Sequence, residues 1–328
     1  MRQAENARSA QIGQEVLERE LKKYSLTLSK VRKTNKLDEA LFADQVIYSQ
    51  QTPYQHVVLT RWKNDVRLYL NGALQFSTAD EYRYHEVLVH PAMTANPTAK
   101  RVLILGGGDG MAVREVLKYT HIEQVDLVDL DPAVTELFRS RPDLTVLNDD
   151  ALNDSKVRVH NVDAFGYLLE EGDIYDVIIA DLPDPNTIGL SKLYTRQFYR
   201  LMVKRLSEQG VFVTQASSPF MTREAFWCIT HTLEAVKKRP PREGYLWVKP
   251  YTAHVPSFGQ WGFVMASQRR VPTDEMRIQV ETRFLTDAKL QSLFLFGKDI
   301  QEIDTPINDI DEHELARLYR LGYKRFHN

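Results

Sequence analysis

Between residues 100 and 240 the spacing of hydrophobic positions switches repeatedly between two patterns. Near-continuous apolar runs ("KRVLILG", "QVDLVDL", "KVRVHNV", "YDVIIAD", "GVFVTQA") alternate with segments whose apolar residues recur every three or four positions. The latter are "GMAVREVLKY", "PAVTELFRS", "DAFGYLLEE", "SKLYTRQFYRLMVKRL" and a stretch around 222–237. Runs of the first kind suit strands buried on both faces, and the others suit helices with one apolar stripe. Their alternation predicts a parallel sheet covered on both sides, a Rossmann-like, doubly wound α/β fold whose ligands bind beyond the carboxyl ends of the strands. "GYLWVKPYTAHV" and "WGFVMASQ" are expected to close that sheet with antiparallel strands.

Before this region the pattern differs. From about 44 to 77, "QHVVLTRW" and "DVRLYLNG" read as strands separated by "KND", and "NG" turns the chain again before "ALQF". This predicts a small antiparallel sheet. "TADEYRYHEVLVHPAM" follows with a capping residue and helical spacing. The chain therefore divides into a polar helical arm or linker (1–40), a small β-domain with its following helix (41–95), a Rossmann-like domain (96–270) and a C-terminal helical extension (271–328). The extension carries no motif.

A formal net charge of −2 removes any bulk attraction to nucleic acid. The short basic stretches at Lys22–Lys36 and Lys237–Arg242 fit solvated faces. Cys228 is the only cysteine, so no internal disulfide forms and a reducing compartment is expected. Its helical apolar surroundings, "EAFWCITHTLEAV", make it a buried small hydrophobe. No apolar run approaches the roughly 18 residues that cross a bilayer, and no signal peptide opens the chain, so a cytoplasmic protein is expected.

The chemistry gathers at "LILGGGDGMAVREV". Gly106, Gly107, Gly108 and Gly110 form a strand-to-helix turn, but Met111 stands where a dinucleotide fingerprint has its third glycine. Asp109 would repel a phosphate and suits an ammonium or sulfonium instead; it could also cap the next helix. Asp129 ends the following strand, about twenty residues on, where an acid accepts from a ribose diol. Asp131 reads as the cap before Pro132. Asp163 ends the third strand, either meeting the amine of an adenine or capping a helix. Asp181 and Asp184 end the fourth, three apart across the proline-stiffened turn of "IIADLPDPN". Either they shape that turn, or they complete an acidic cleft for a cationic substrate.

With these residues in hand, the sequence resembles the polyamine aminopropyltransferases, of which spermidine synthase is the best-known member. The resemblance covers about residues 45 to 267 and rests on ordered motifs, including "PYQHVVL", "LNGALQFSTADEYRYHEVLVHPAM", "VLILGGGDG", "VDLDP", "VDAF", "YDVIIADLPDP", "LYTRQFY" and "GQWGF". It implies a methyltransferase-type Rossmann-like sheet preceded by a small antiparallel β-domain. It also implies transfer of an aminopropyl group from decarboxylated S-adenosylmethionine to an amine, without a metal. By motif position, Gln55, Gly106, Gly108, Asp109, Gly110, Asp129, Asp163 and Ala164 would bind the donor. Tyr84 and Asp181 would act on the attacking amine, and His85, Asp184 and Gln215 would meet the acceptor. A homodimer through the small β-domain is implied as well.

The chain departs from the family in "DPNTIGLSKLY", in "VTQASSPF", where a glutamate is common, and in "HVPSF", where a tyrosine is common. These departures leave the acceptor amine open. Several motifs look more like a bacterial branch in which this domain follows membrane-spanning segments, so a cytosolic domain of a membrane protein is a second expectation. An S-adenosylmethionine-dependent methyltransferase shares the glycine turn but not the Tyr84–Asp181 pair. A polyamine or nucleoside sensor would need no base beside the donor. A nicotinamide oxidoreductase is opposed by Met111 and Asp109.

Overall fold

The structure, a computed structural model, describes residues 42–326. The arm inferred for 1–40 lies outside them. Two compact units meet in sequence between Ser77 and Thr78.

The first unit is an antiparallel sheet of β1 (Gln45–Gln51), β2 (His56–Trp62), β3 (Asp65–Leu70) and β4 (Ala73–Ser77), in that order. The β3–β4 turn places Asn71 and Gly72 at φ 50° and 81°, the left-handed pair that a two-residue hairpin of this type requires. β1 is a strand that the sequence pattern does not reveal. It lies at the edge with every residue at least partly exposed, so no period of two marks it.

The second unit holds β5 (Arg101–Gly106), β6 (Gln124–Val128), β7 (Val157–His160), β8 (Tyr175–Asp181), β9 (Leu206–Gln215), β10 (Trp247–Val255) and β11 (Gly259–Ser267). They form one sheet in the order β10-β11-β9-β8-β5-β6-β7. β5 to β9 run parallel, and β10 and β11 close one edge antiparallel, as expected. The chain leaves β5 toward β6 and later returns to β8 on its other side, so the strand order reverses beside β5. The crevice at such a reversal is where ligands bind in open α/β sheets. The register pairs Gly106 with Asp181 at this point.

The helix Glu81–Ala95, grouped by its sequence position with the small sheet, belongs to the second unit. Val87, Leu88, Val89, Ala92 and Met93 are fully buried, a surround of apolar residues that needs packing on several sides. The helix lies against β8, β9, β10 and the helix Met111–Leu117. Asp80 occupies its N-cap position without capping it, because its carboxylate accepts from the Ser257 backbone N–H (2.6 Å) and hydroxyl (2.9 Å).

Residues 271–326 are likewise part of this unit and mostly irregular, with short helices at Asp287–Ser292 and Glu314–Lys324. Fully buried Glu86 accepts from three successive backbone N–H groups, those of Arg283, Phe284 and Leu285. The Asn308 amide donates to the carbonyls of Ser191 and Tyr194, and Arg196 grips Asp309 through two nitrogens. Leu315 is buried where Glu314–Lys324 packs on the helix Arg223–Glu234. Among the described residues, no helix is long and apolar enough to cross a membrane.

Candidate active site

The turn after β5 is built on close backbone approach. Gly106 has φ +80°, and a Cβ there would lie 2.0 Å from the Asp181 carbonyl oxygen. A Cβ on Gly108 would lie 2.7 Å from Asp129 Oδ2, so only glycine lets the Gly108 N–H donate to that oxygen at 3.0 Å. The other oxygen of Asp129 accepts from the Asp131 N–H at 2.9 Å. Burial pushes the Asp129 carboxyl up to about 6 against these two hydrogen bonds, with Asp109 and Asp131 adding to the rise. Asp109, almost fully buried, accepts from the Met111 N–H at 2.9 Å. It therefore serves the helix start while keeping an acid in the turn. Burial raises its proton affinity, and the charge of His85 opposes the rise.

Tyr84 and Asp181 meet as expected, the phenol donating to Asp181 Oδ1 at 2.7 Å. The Tyr84 ring is held edge-on by His85 and Phe258 and tilted against Phe263. Burial and the Asp181 charge raise the phenol well above its ordinary value, so it stays a neutral donor. Burial likewise pushes Asp181 up to about 6, with Asp109 adding and the Tyr84 hydroxyl and His85 charge opposing.

His85 is 2% exposed, and its Nδ1 lies 2.8 Å from Glu81 Oε2. Arg114, on the helix after the glycine turn, grips both oxygens of Glu81 at 3.1 and 2.9 Å. Burial opposes a charge on His85, but the hydrogen bond and charge of Glu81 prevail, assisted by Asp109 and Asp181. The imidazole is pushed up to about 9. His85, expected beside the acceptor, is held by Glu81 next to Tyr84. Glu81 and Arg114 escape sequence reasoning; the spacing of Glu81 and His85, four apart on a helix, is the only local trace of the pairing.

Asp184 lies in the turn that follows β8. Burial pushes it up to about 6, against hydrogen bonds from Tyr319, Gln215 and Ser217. Gln215 is expected to touch the acceptor, but both ends of its amide are engaged within the protein. Its nitrogen donates to the Leu182 carbonyl (2.7 Å) and to Tyr194 Oη, and lies 3.5 Å from Asp184 Oδ1. Its oxygen accepts from the Ser217 N–H. Gln215 thus shapes the turn that carries Asp184. Tyr194 donates to the Leu182 and Pro183 carbonyls of the same turn.

The remaining candidates are spread out. Exposed Asp163 caps the helix Ala164–Leu169 by accepting from the Gly166 N–H at 2.8 Å, with buried Ala164 beside it. Asp131 caps the earlier helix Pro132–Ser140 by accepting from the Ala133 N–H, as its sequence suggests. Gln55 stands in the β1–β2 turn of the first unit, its backbone bonded to Thr52. Cys228 is buried, and burial pushes its thiol up to about 12. Among the described residues, no cluster of three His, Cys, Asp or Glu could hold a metal ion.

Comparison with known proteins identifies the family. A family profile described as the spermine/spermidine synthase domain matches residues 81–276. The polyamine aminopropyltransferases of Leptospira interrogans serogroup Icterohaemorrhagiae and of Oceanobacillus iheyensis are each 45% identical to the chain, over 288 and 293 residues. Each match covers 88% of this chain and 56% of the relative. The chain thus spans about half the length of the curated relatives it matches. Among solved structures, a spermidine synthase in complex with the transition-state analogue AdoDATO aligns with a TM-score of 0.70 at 26% identity, covering 77% of this chain and 86% of that one. The Thermotoga maritima spermidine synthase aligns with a TM-score of 0.68 at 26% identity, covering 77% and 85%.

Proposed function

The chain belongs to the spermine/spermidine synthase family, and we propose that it moves an aminopropyl group from decarboxylated S-adenosylmethionine onto a diamine such as putrescine. The products are a longer polyamine and methylthioadenosine. The carrying observation is the Tyr84–Asp181 hydrogen bond beside a glycine turn that itself holds an acid.

In this reading Asp109 pairs with the donor's ammonium, which a carboxylate-bearing donor would approach against repulsion. Asp129 takes the ribose hydroxyls with the lone pairs that Gly108 and Asp131 leave, while Asp163 and Ala164 take the adenine. Gly106, Gly108 and Gly110 let the backbone come close. Asp184 binds the acceptor's second nitrogen, and His85 balances Asp109 and Asp181.

The acceptor arrives as an ammonium with a pKa of about 10. Asp181 takes the proton, and the freed lone pair attacks the carbon next to sulfur. As the N–C bond forms, the C–S bond breaks and its electron pair cancels the sulfonium charge, so the leaving group is a neutral thioether. A base near 6 lies uphill of such an ammonium by about 5 kcal/mol, whereas an ordinary aspartate lies about 8 kcal/mol uphill. Burial of Asp181 therefore works in the reaction's favour. The rest is positioning, with nucleophile and electrophile held in line.

Incubation with the donor and a panel of amines from 1,3-diaminopropane to spermidine, read by mass spectrometry, tests the proposal. Methylthioadenosine should form with one amine, and Asp181→Asn should lower kcat by about 10²- to 10⁴-fold. No methylthioadenosine with any amine would overturn it. The reading also includes a cytoplasmic location and a homodimer, the latter checked by sedimentation of the full chain.

A further inference from the structure

The Tyr319 hydroxyl donates to Asp184 Oδ2 at 2.9 Å. It comes from the helix Glu314–Lys324, well past the 81–276 stretch that the family profile matches. The contact is built in. Tyr319 is 9% exposed and its ring stacks on Tyr323. Gly322 approaches so closely that a Cβ would lie 2.8 Å from Thr222 Cα, which fixes the helix against the preceding loop. With Oδ2 committed, Asp184 has Oδ1 facing the longer, 3.5 Å contact with Gln215.

Resting on the function proposed above, we propose that Tyr319 is a positioning residue for the acceptor: by holding Oδ2 it orients Asp184 toward the amine, so the C-terminal extension sets amine affinity. The titratable groups that face Asp184 are Tyr84, Tyr194 and Tyr319, and its neutral donors are Gln215 and Ser217. Loss of the Tyr319 hydroxyl removes an interaction that favours the ionised carboxylate, so the carboxyl titrates above its present value of about 6. Amine binding should then fail at a higher pH.

Tyr319→Phe in the full chain tests this by steady-state kinetics and by calorimetric binding of putrescine in the presence of methylthioadenosine. The expected result is a rise of about tenfold in the KM and Kd for the amine at pH 7, growing as pH falls toward 6. kcat and the donor KM should stay within about twofold at pH 8, since the Tyr319 hydroxyl is spent on Asp184 rather than on the base or the glycine turn. Unchanged amine affinity would overturn the proposal, as would a parallel loss of kcat and both affinities, the mark of a purely structural role. Wild-type protein that neither turns over nor binds diamine would remove the underlying function and this proposal with it. Wild-type binding with an unchanged Tyr319→Phe constant would remove this proposal alone.

Discussion

Tyr84→Phe removes one oxygen atom and should move the pH dependence of the reaction. The ring contacts with His85, Phe258 and Phe263 survive, so the loss is confined to the 2.7 Å hydrogen bond to Asp181. A hydrogen bond to a charged acceptor contributes about 1.5–3 kcal/mol, and each pH unit corresponds to about 1.4 kcal/mol. The Asp181 carboxyl, now about 6, should rise by about 1 to 2 pH units. At pH 7 its ionised share would fall from about nine-tenths to between a half and a tenth, a loss of about two- to tenfold in kcat/KM that recovers by pH 9. The assay is methylthioadenosine release at low substrate between pH 5 and 9. Because Asp181 and Asp184 both titrate near 6, the wild-type acid limb should fall with a slope above one, and in the variant it should split into two steps. An acid limb that stays in place, with only a uniform drop in rate, would refute the assignment of Asp181 as the base.

Asp109→Asn keeps an acceptor for the Met111 N–H and removes the charge. Inhibition by S-adenosylmethionine should then strengthen relative to donor affinity by about tenfold, read from inhibition constants. For His85 the folded value of about 9 exceeds the ordinary 6.5. Its contribution to stability is therefore complete below about pH 6.5 and is lost as pH rises through 9, with a span of about 3 kcal/mol. Denaturant unfolding at pH 6.5 and 9.5 should show that loss in the wild type and a much smaller one in Glu81→Gln.

β5, β6, β8 and the second half of β9 were legible because each is a dense apolar run bounded by turn residues, and the carboxyl-end acids follow from where such strands stop. Gly106, Asp129 and Asp181 fall where the pattern puts them, and Tyr84 reaches Asp181 as motif position implied. The edge strand β1 was not legible, since half-exposed residues carry no period. "SKLYTRQFYRLMVKRL" reads as one helix but breaks into Ile188–Ser191, a single turn at Lys192–Tyr194 and Arg196–Lys204. Thr195 caps the last of these by accepting from the Phe198 N–H, a signal available in the sequence. The Tyr319 contact with Asp184 and the Arg114 grip on Glu81 were invisible for another reason. They depend on which distant segments fold together, and no local spacing encodes that.

Glu86 decides where this protein can be cut. Its carboxylate is fully buried and satisfied by the backbone of 283–285, all of it past the end of the 81–276 match. A domain excised at residue 276 would keep the acid and lose its three donors, on the same helix that carries Tyr84 and His85. A buried carboxylate without partners is among the costliest defects a fold can hold. The smallest exchangeable module in a chimera or a library is thus longer than the family domain: it must run past Leu285 for Glu86, and through the helix Glu314–Lys324 to keep Tyr319 on Asp184.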